Sequence, residues 1–181
     1  MEAHSTVREG YQIILLAQSE QILPKECEKM REYYQNLSAA CMQWATGKYG
    51  EEVRQAFLRA ETVREKSAFG IRKFRLRIRQ VFEEYPYCAV LCEAKLSGKQ
   101  NAKDCYHRLS HVWNAEEETI LPFSQILELF HARTLYKSLA FRPDGIYPEG
   151  EALVFFRNAT PETPFCEKRI PLNRSEIGQI R

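Results

Sequence analysis

The sequence predicts an α+β fold with a mainly antiparallel sheet, an N-terminal helical pair and one short later helix. Three observations predict it. Apolar residues between 27 and 63 recur at helical spacing, the pattern changes to strict alternation after Gly70, and the remaining strand segments are joined by turn-forming residues. Segregated helices and runs of strands favour antiparallel pairing over a parallel βαβ sheet.

The elements follow in order. Tyr11 to Leu16 reads as a short first strand. Pro24 sits where a helix can start, because a first-turn position needs no amide donor. Cys27, Met30, Tyr34, Leu37, Cys41 and Trp44 then lie at spacings of 3, 4, 3, 4 and 3, one apolar helical face. The glycines of "GKYG", residues 47 to 50, end that helix. A second helix runs from about Glu51 to Lys66, with Val53, Phe57, Ala60 and Val63 as its stripe and two glutamates at its positive end. The two form a helical hairpin or consecutive legs of one bent helix.

From Gly70, Phe74, Leu76 and Ile78 alternate with Arg75, Arg77 and Arg79, which marks a half-buried strand. "YPYCAVLCEAKL" and "KDCYHRLSHVW" are two further strands, joined through the hairpin-prone "SGKQN". "LPFSQILELFHA" is a short helix with Ser124 as its cap. "TLYKSLAF", "EALVFF" and "PFCEKRIPL" are strands, the first two separated by the turn "RPDGIYPEG", and "NRSEIGQI" is a closing helical turn. No internal repeat or linker divides the 181 residues, so one domain over 1–181 is expected.

Bulk properties exclude several classes. A formal net charge of +2 argues against nucleic acid as a partner. No apolar run reaches the roughly 18–20 residues of a membrane helix. The expected location is the cytoplasm if the chain is complete, and outside it if an export segment has been removed. Six cysteines without an export signal read as buried thiols rather than a disulfide framework.

Two constellations are candidates for chemistry. Alternation places Cys105, His107, Leu109, His111 and Trp113 on one strand face, and a hairpin would set Cys88 and Cys92 opposite the histidines. A four-ligand zinc site is excluded because Cys88 and Cys92 stand about 13 Å apart along their strand. Only Cys92, Cys105 and His107 could converge on one metal, and Cys92 with His107 could form a thiol–imidazole pair. The plainer reading is packing and surface. The second constellation is "RKFRLRIR", with five cations in eight residues. Arg75, Arg77 and Arg79 could follow a polyanion, whereas a charged sheet face also keeps a strand soluble. Glu116, Glu117 and Glu118 lack the alternation and glycine of a calcium loop. Asn158-Ala-Thr160 has the form of a glycosylation sequon, followed by Pro161. No phosphate loop, nucleophile elbow or zinc helix occurs, so neither a cofactor nor catalysis is expected.

Several stretches taken in order resemble a known family. "ILPKECEKMREYYQNL", "HVWNAEEETILPFSQIL", "AFRPDGIYPEGEALVFF" and "KRIPLNRSEI" are similar to segments of a bacterial domain of unknown function. That domain forms the ectodomain of lysozyme-sensing anti-sigma-V factors and accompanies peptidoglycan deacetylases. The resemblance covers about 11–177. It implies an α+β fold and a non-catalytic binding or sensing role of Gram-positive type, with a protein or cell-wall glycan as ligand. Where the family has a Gly-Gly-Ala-His stretch this chain reads "CEAKLSGKQNAKDC", so lysozyme binding and the family's binding residues do not transfer. The alternatives are an enzyme or metal protein using Cys92, Cys105 and His107, and a structural or assembly subunit.

Overall fold

A computed structural model describes residues 2–23, 27–98, 105–160 and 162–172. The described residues form a mixed α and β structure with two sheets. Six strands lie in the order β1-β2-β3-β4-β5-β6: β1 (Glu2–Arg8), β2 (Tyr11–Ile22), β3 (Ile71–Glu84), β4 (Tyr87–Gly98), β5 (Cys105–Asn114) and β6 (Thr119–Ile120). A three-stranded sheet follows in the order β7 (Gly145–Glu149), β8 (Ala152–Arg157) and β9 (Cys166–Pro171). The helices are α1 (Glu28–Trp44), α2 (Gly50–Arg59), α3 (Val63–Phe69), α4 (Phe123–Leu129) and α5 (Arg133–Lys137). The chain divides into two compact units.

The first unit comprises Met1–Gln21, Arg31–Arg77 and Glu93–His107. It begins with a hairpin, in which Arg8 pairs with Tyr11 and the register runs back to Glu2 opposite Ala17. Glu9 and Gly10 make the turn with φ of 49° and 78°. Positive φ at both central residues matches the twist of antiparallel strands. Ile13, Leu15 and Ala17 alternate inward on β2. The expected N-terminal helical pair therefore does not open the chain: two strands precede it. β1 escapes sequence reading because its residues are mostly exposed and it lacks an apolar alternation.

α1 buries Tyr34 and Ser38, and the Ser38 hydroxyl meets that of Ser19 at 2.6 Å. Gly47 does not end the helical path. A π-helical turn over Ala45–Tyr49 carries it directly into α2, the bent-helix alternative. The buried face has shifted by one residue already within α1: Ser38 is buried in place of Leu37, Ala45 is fully buried, and Trp44 is 40% exposed and stacks on Tyr49. The second helix ends earlier than expected, at Arg59. A capping box then starts α3, with the Thr62 hydroxyl accepting from the Glu65 amide and the Glu65 carboxylate accepting from the Thr62 amide. The buried Lys66 ammonium is paired with Glu9 of the hairpin turn.

The second unit comprises Ile22–Met30, Ile78–Cys92 and Arg108–Arg181. Its core joins Phe82, Ala89, Leu91 and Val112 to Ile126, Leu127 and Phe130 of the α4 region and to Ile146, Tyr147 and Leu153–Phe156. "TLYKSLAF" is not a strand: Arg133–Lys137 is helical. The strand lies further on, in "GIYPE", whose central residues are buried on both faces and so lack alternation. Pro122, not Ser124, occupies the N-cap of α4. The expected closing turn "NRSEIGQI" and most of "SGKQN" lie outside the described residues.

Candidate functional site

The residues of the first constellation lie on β4 and β5. Cys92 is buried on β4, in the second unit. His107 is exposed on β5, in the first. Cys105 begins β5, and its side chain lies outside the described residues. Among the described residues, no three His, Cys, Asp or Glu side chains are grouped to hold a metal. Burial pushes the Cys88 thiol up to about 12 and pulls the His111 imidazole down to about 4. Both groups are thus neutral at pH 7.

His111 therefore makes the protein acid-sensitive. Its folded-state value lies below the 6.5 of an ordinary imidazole, so the unfolded chain binds the extra proton first. Stability from this residue is complete above pH 6.5 and is lost as pH falls towards 4. Unfolding free energies from urea titrations across that window should decline by on the order of 2 kcal/mol. A His111→Gln variant should remove most of that slope, and an unchanged slope would assign it elsewhere.

Two arginines of the basic strand meet carboxylates. Arg75 and Arg77 are exposed, and Arg77 lies 3.5 Å from Glu20. Arg79, in the second unit, donates to Glu149 at 3.1 Å. Glu149 also accepts from Arg169 at 2.8 Å, and Arg169 lies 3.3 Å from Glu167. Glu167 in turn meets Arg108 at 2.5 Å. Charges of alternating sign thus run from Arg79 to Arg108. Burial acts to raise the Glu149 carboxyl, but its bonds to Arg169 and Arg79 outweigh that and hold it below the usual range.

Arg108 is the most enclosed member of this chain, with its side chain 11% exposed. Its guanidinium lies 5.0–5.8 Å from the rings of Tyr147, Phe156 and Phe165 and donates to the Tyr147 hydroxyl at 3.1 Å. Its backbone is clamped by Asn158. The Asn158 Oδ1 accepts from the Arg108 amide at 2.7 Å, and the Nδ2 donates to the Arg108 carbonyl at 2.9 Å. The sequon asparagine is thus buried and its amide is already engaged.

A groove of about 620 Å³ runs beside this network. One wall is Leu135 and Ser138–Phe141, and the other is Cys166–Pro171, all of β9. Six consecutive residues of one strand line it. Because side chains alternate between faces, such a wall is the edge of the strand. β9 pairs with β8 from Arg157 opposite Cys166 to Ala152 opposite Pro171. No strand covers its other side among the described residues. In antiparallel pairing about half of such an edge's amides and carbonyls point away from the neighbour. The partly buried Leu139, Phe141 and Ile170 add apolar surface. Sequence reading missed this site because its wall, "TLYKSLAF", read as a strand.

No family model and no curated protein matches the chain. Solved structures do. A DUF3298 family protein of Pseudomonas aeruginosa PAO1 is similar at 12% identity over 94% of this chain and 89% of that one, with a TM-score of 0.48. A member of the DUF3298 family from Bacteroides fragilis NCTC 9343 is similar at 11% identity over 78% of this chain and 64% of that one, with a TM-score of 0.39.

Proposed function

We propose that this chain is a non-catalytic binding or sensing domain of Gram-positive bacterial type, in keeping with its resemblance to the anti-sigma-V ectodomain. Its ligand is an extended polypeptide segment that adds to the edge of β9. The observation that carries this reading is the groove itself, walled on one side by six consecutive residues of an edge strand. Main-chain groups there supply affinity without demanding sequence, and the apolar wall of Leu135, Leu139 and Phe141 supplies selectivity. Its volume lies within the range of about 300–1,000 Å³ usual for ligand sites. Arg169 and Glu167 are already held by neighbours, so the edge is fixed before a ligand arrives, which lowers the ordering cost of binding.

A random dodecapeptide phage library panned against the protein tests this. Enriched peptides should alternate apolar and polar residues and lose at least about tenfold in affinity for Leu135→Asp, a change at an exposed wall position. Lys168→Pro and Arg169→Pro give a second readout. One of these adjacent amides points to β8 and the other to the groove. One substitution should therefore lower stability, and the other should abolish peptide binding with stability retained. No enrichment, equal affinity for Leu135→Asp, or capture of cell-wall glycan in place of peptide would overturn the reading.

A further inference from the structure

We propose that Cys27, Met30 and Cys88 form a binding site for copper(I). All three belong to the second unit and line one cavity of about 180 Å³, together with Gln80, Glu83 and Tyr87. Cys27 and Cys88 are each 6% exposed and Met30 is fully buried. Cys27 immediately precedes α1 and Met30 lies three residues on, so one helical turn brings both to the same side. Cys88, the second residue of β4, lines the same cavity from the strand.

The donor set decides the ion. Two thiols and a thioether are soft ligands, and soft sulfur ligands select copper(I). Structural zinc takes four ligands, usually cysteines with histidines, and no imidazole lines this cavity. Buried cysteine and methionine also serve as plain core residues. Here, however, they border open space large enough for an ion rather than a filled interior. The step conserves charge: copper(I) displaces one proton from each thiol, both protons go to solvent, and the metal keeps its oxidation state. The resulting two thiolates and one cation leave a single negative charge.

Anaerobic titration of the fully reduced protein with copper(I), against bicinchoninate as competitor, tests the site. One equivalent should bind and produce a near-ultraviolet thiolate-to-copper band. Cys88→Ser should remove the band, and Met30→Leu, close in volume, should weaken binding by about tenfold or more with the circular dichroism unchanged. Cys41→Ser should bind as the parent does. Copper uptake equal in the parent and in Cys27→Ser/Cys88→Ser, or preference for zinc over copper(I), would overturn the site.

Discussion

Replacing Arg108 with methionine should destabilise the protein by about 3–5 kcal/mol, the range for removing one partner of a buried ion pair. The side chain is 11% exposed and its carboxylate partner Glu167 is 24% exposed, so solvent screens the pair little. Methionine keeps much of the apolar stem but strands Glu167 and the Tyr147 hydroxyl. It also ends the stacking on three rings, which contributes beyond the charge itself. Lysine should rescue poorly, because a point charge cannot lie flat between rings while bonding a carboxylate and a phenol. Urea unfolding of Arg108→Met, Glu167→Gln and the double variant measures this. The double variant should lose less than the sum of the singles, since neither charge is then left alone. A loss under about 1 kcal/mol for Arg108→Met would reduce the network to a surface ornament.

Gly145→Ala should cost about 3 kcal/mol, the upper part of the overpacking range. The residue opens β7 directly opposite Phe156. A Cβ built there would lie 2.3 and 2.5 Å from two carbons of the Phe156 ring and 2.9 Å from the Ser110 hydroxyl. The ring cannot swing away cheaply, because the Arg108 guanidinium sits 5.6 Å from its centroid. Ser110 is held as well, donating to the Ile146 carbonyl at 3.0 Å. Shrinking the ring should therefore relieve the clash. Gly145→Ala/Phe156→Leu should be more stable than the two single losses added together would allow. Full additivity in thermal or urea unfolding would show that the ring is not what the methyl group meets.

How much of this was legible in the sequence depended on what each residue touches. The alternation of Phe74, Leu76 and Ile78 is visible because one face of β3 is buried and the other is not. β7 shows no alternation because Gly145–Pro148 are all buried, so "GIYPE" passes for part of a turn. The break between α2 and α3 was present in "TVRE", whose Thr62 and Glu65 have capping-box spacing, but the apolar stripe running through Val63 concealed it. The π turn has no such signature. Gly47 looks like a terminator, and only the burial of Ala45 in place of Trp44 reveals that the chain stays helical. The candidate residues of β5 differ in burial along the strand. Strand alternation groups Cys105, His107 and His111 by position, and burial along β5 grades from exposed at His107 to buried at Trp113, which local sequence does not show. The groove beside β9 depends on which strand edge is left open among the described residues, and local sequence carries no record of that.

The displaced apolar face of α1 has an optical consequence. The chain contains two tryptophans, and each compact unit holds one. Trp44 is 40% exposed against Tyr49, whereas Trp113 is 4% exposed. The first indole is quenchable and emits in a watery environment, and the second emits from an apolar one. The two emission maxima therefore differ, and each unit carries its own natural reporter of melting.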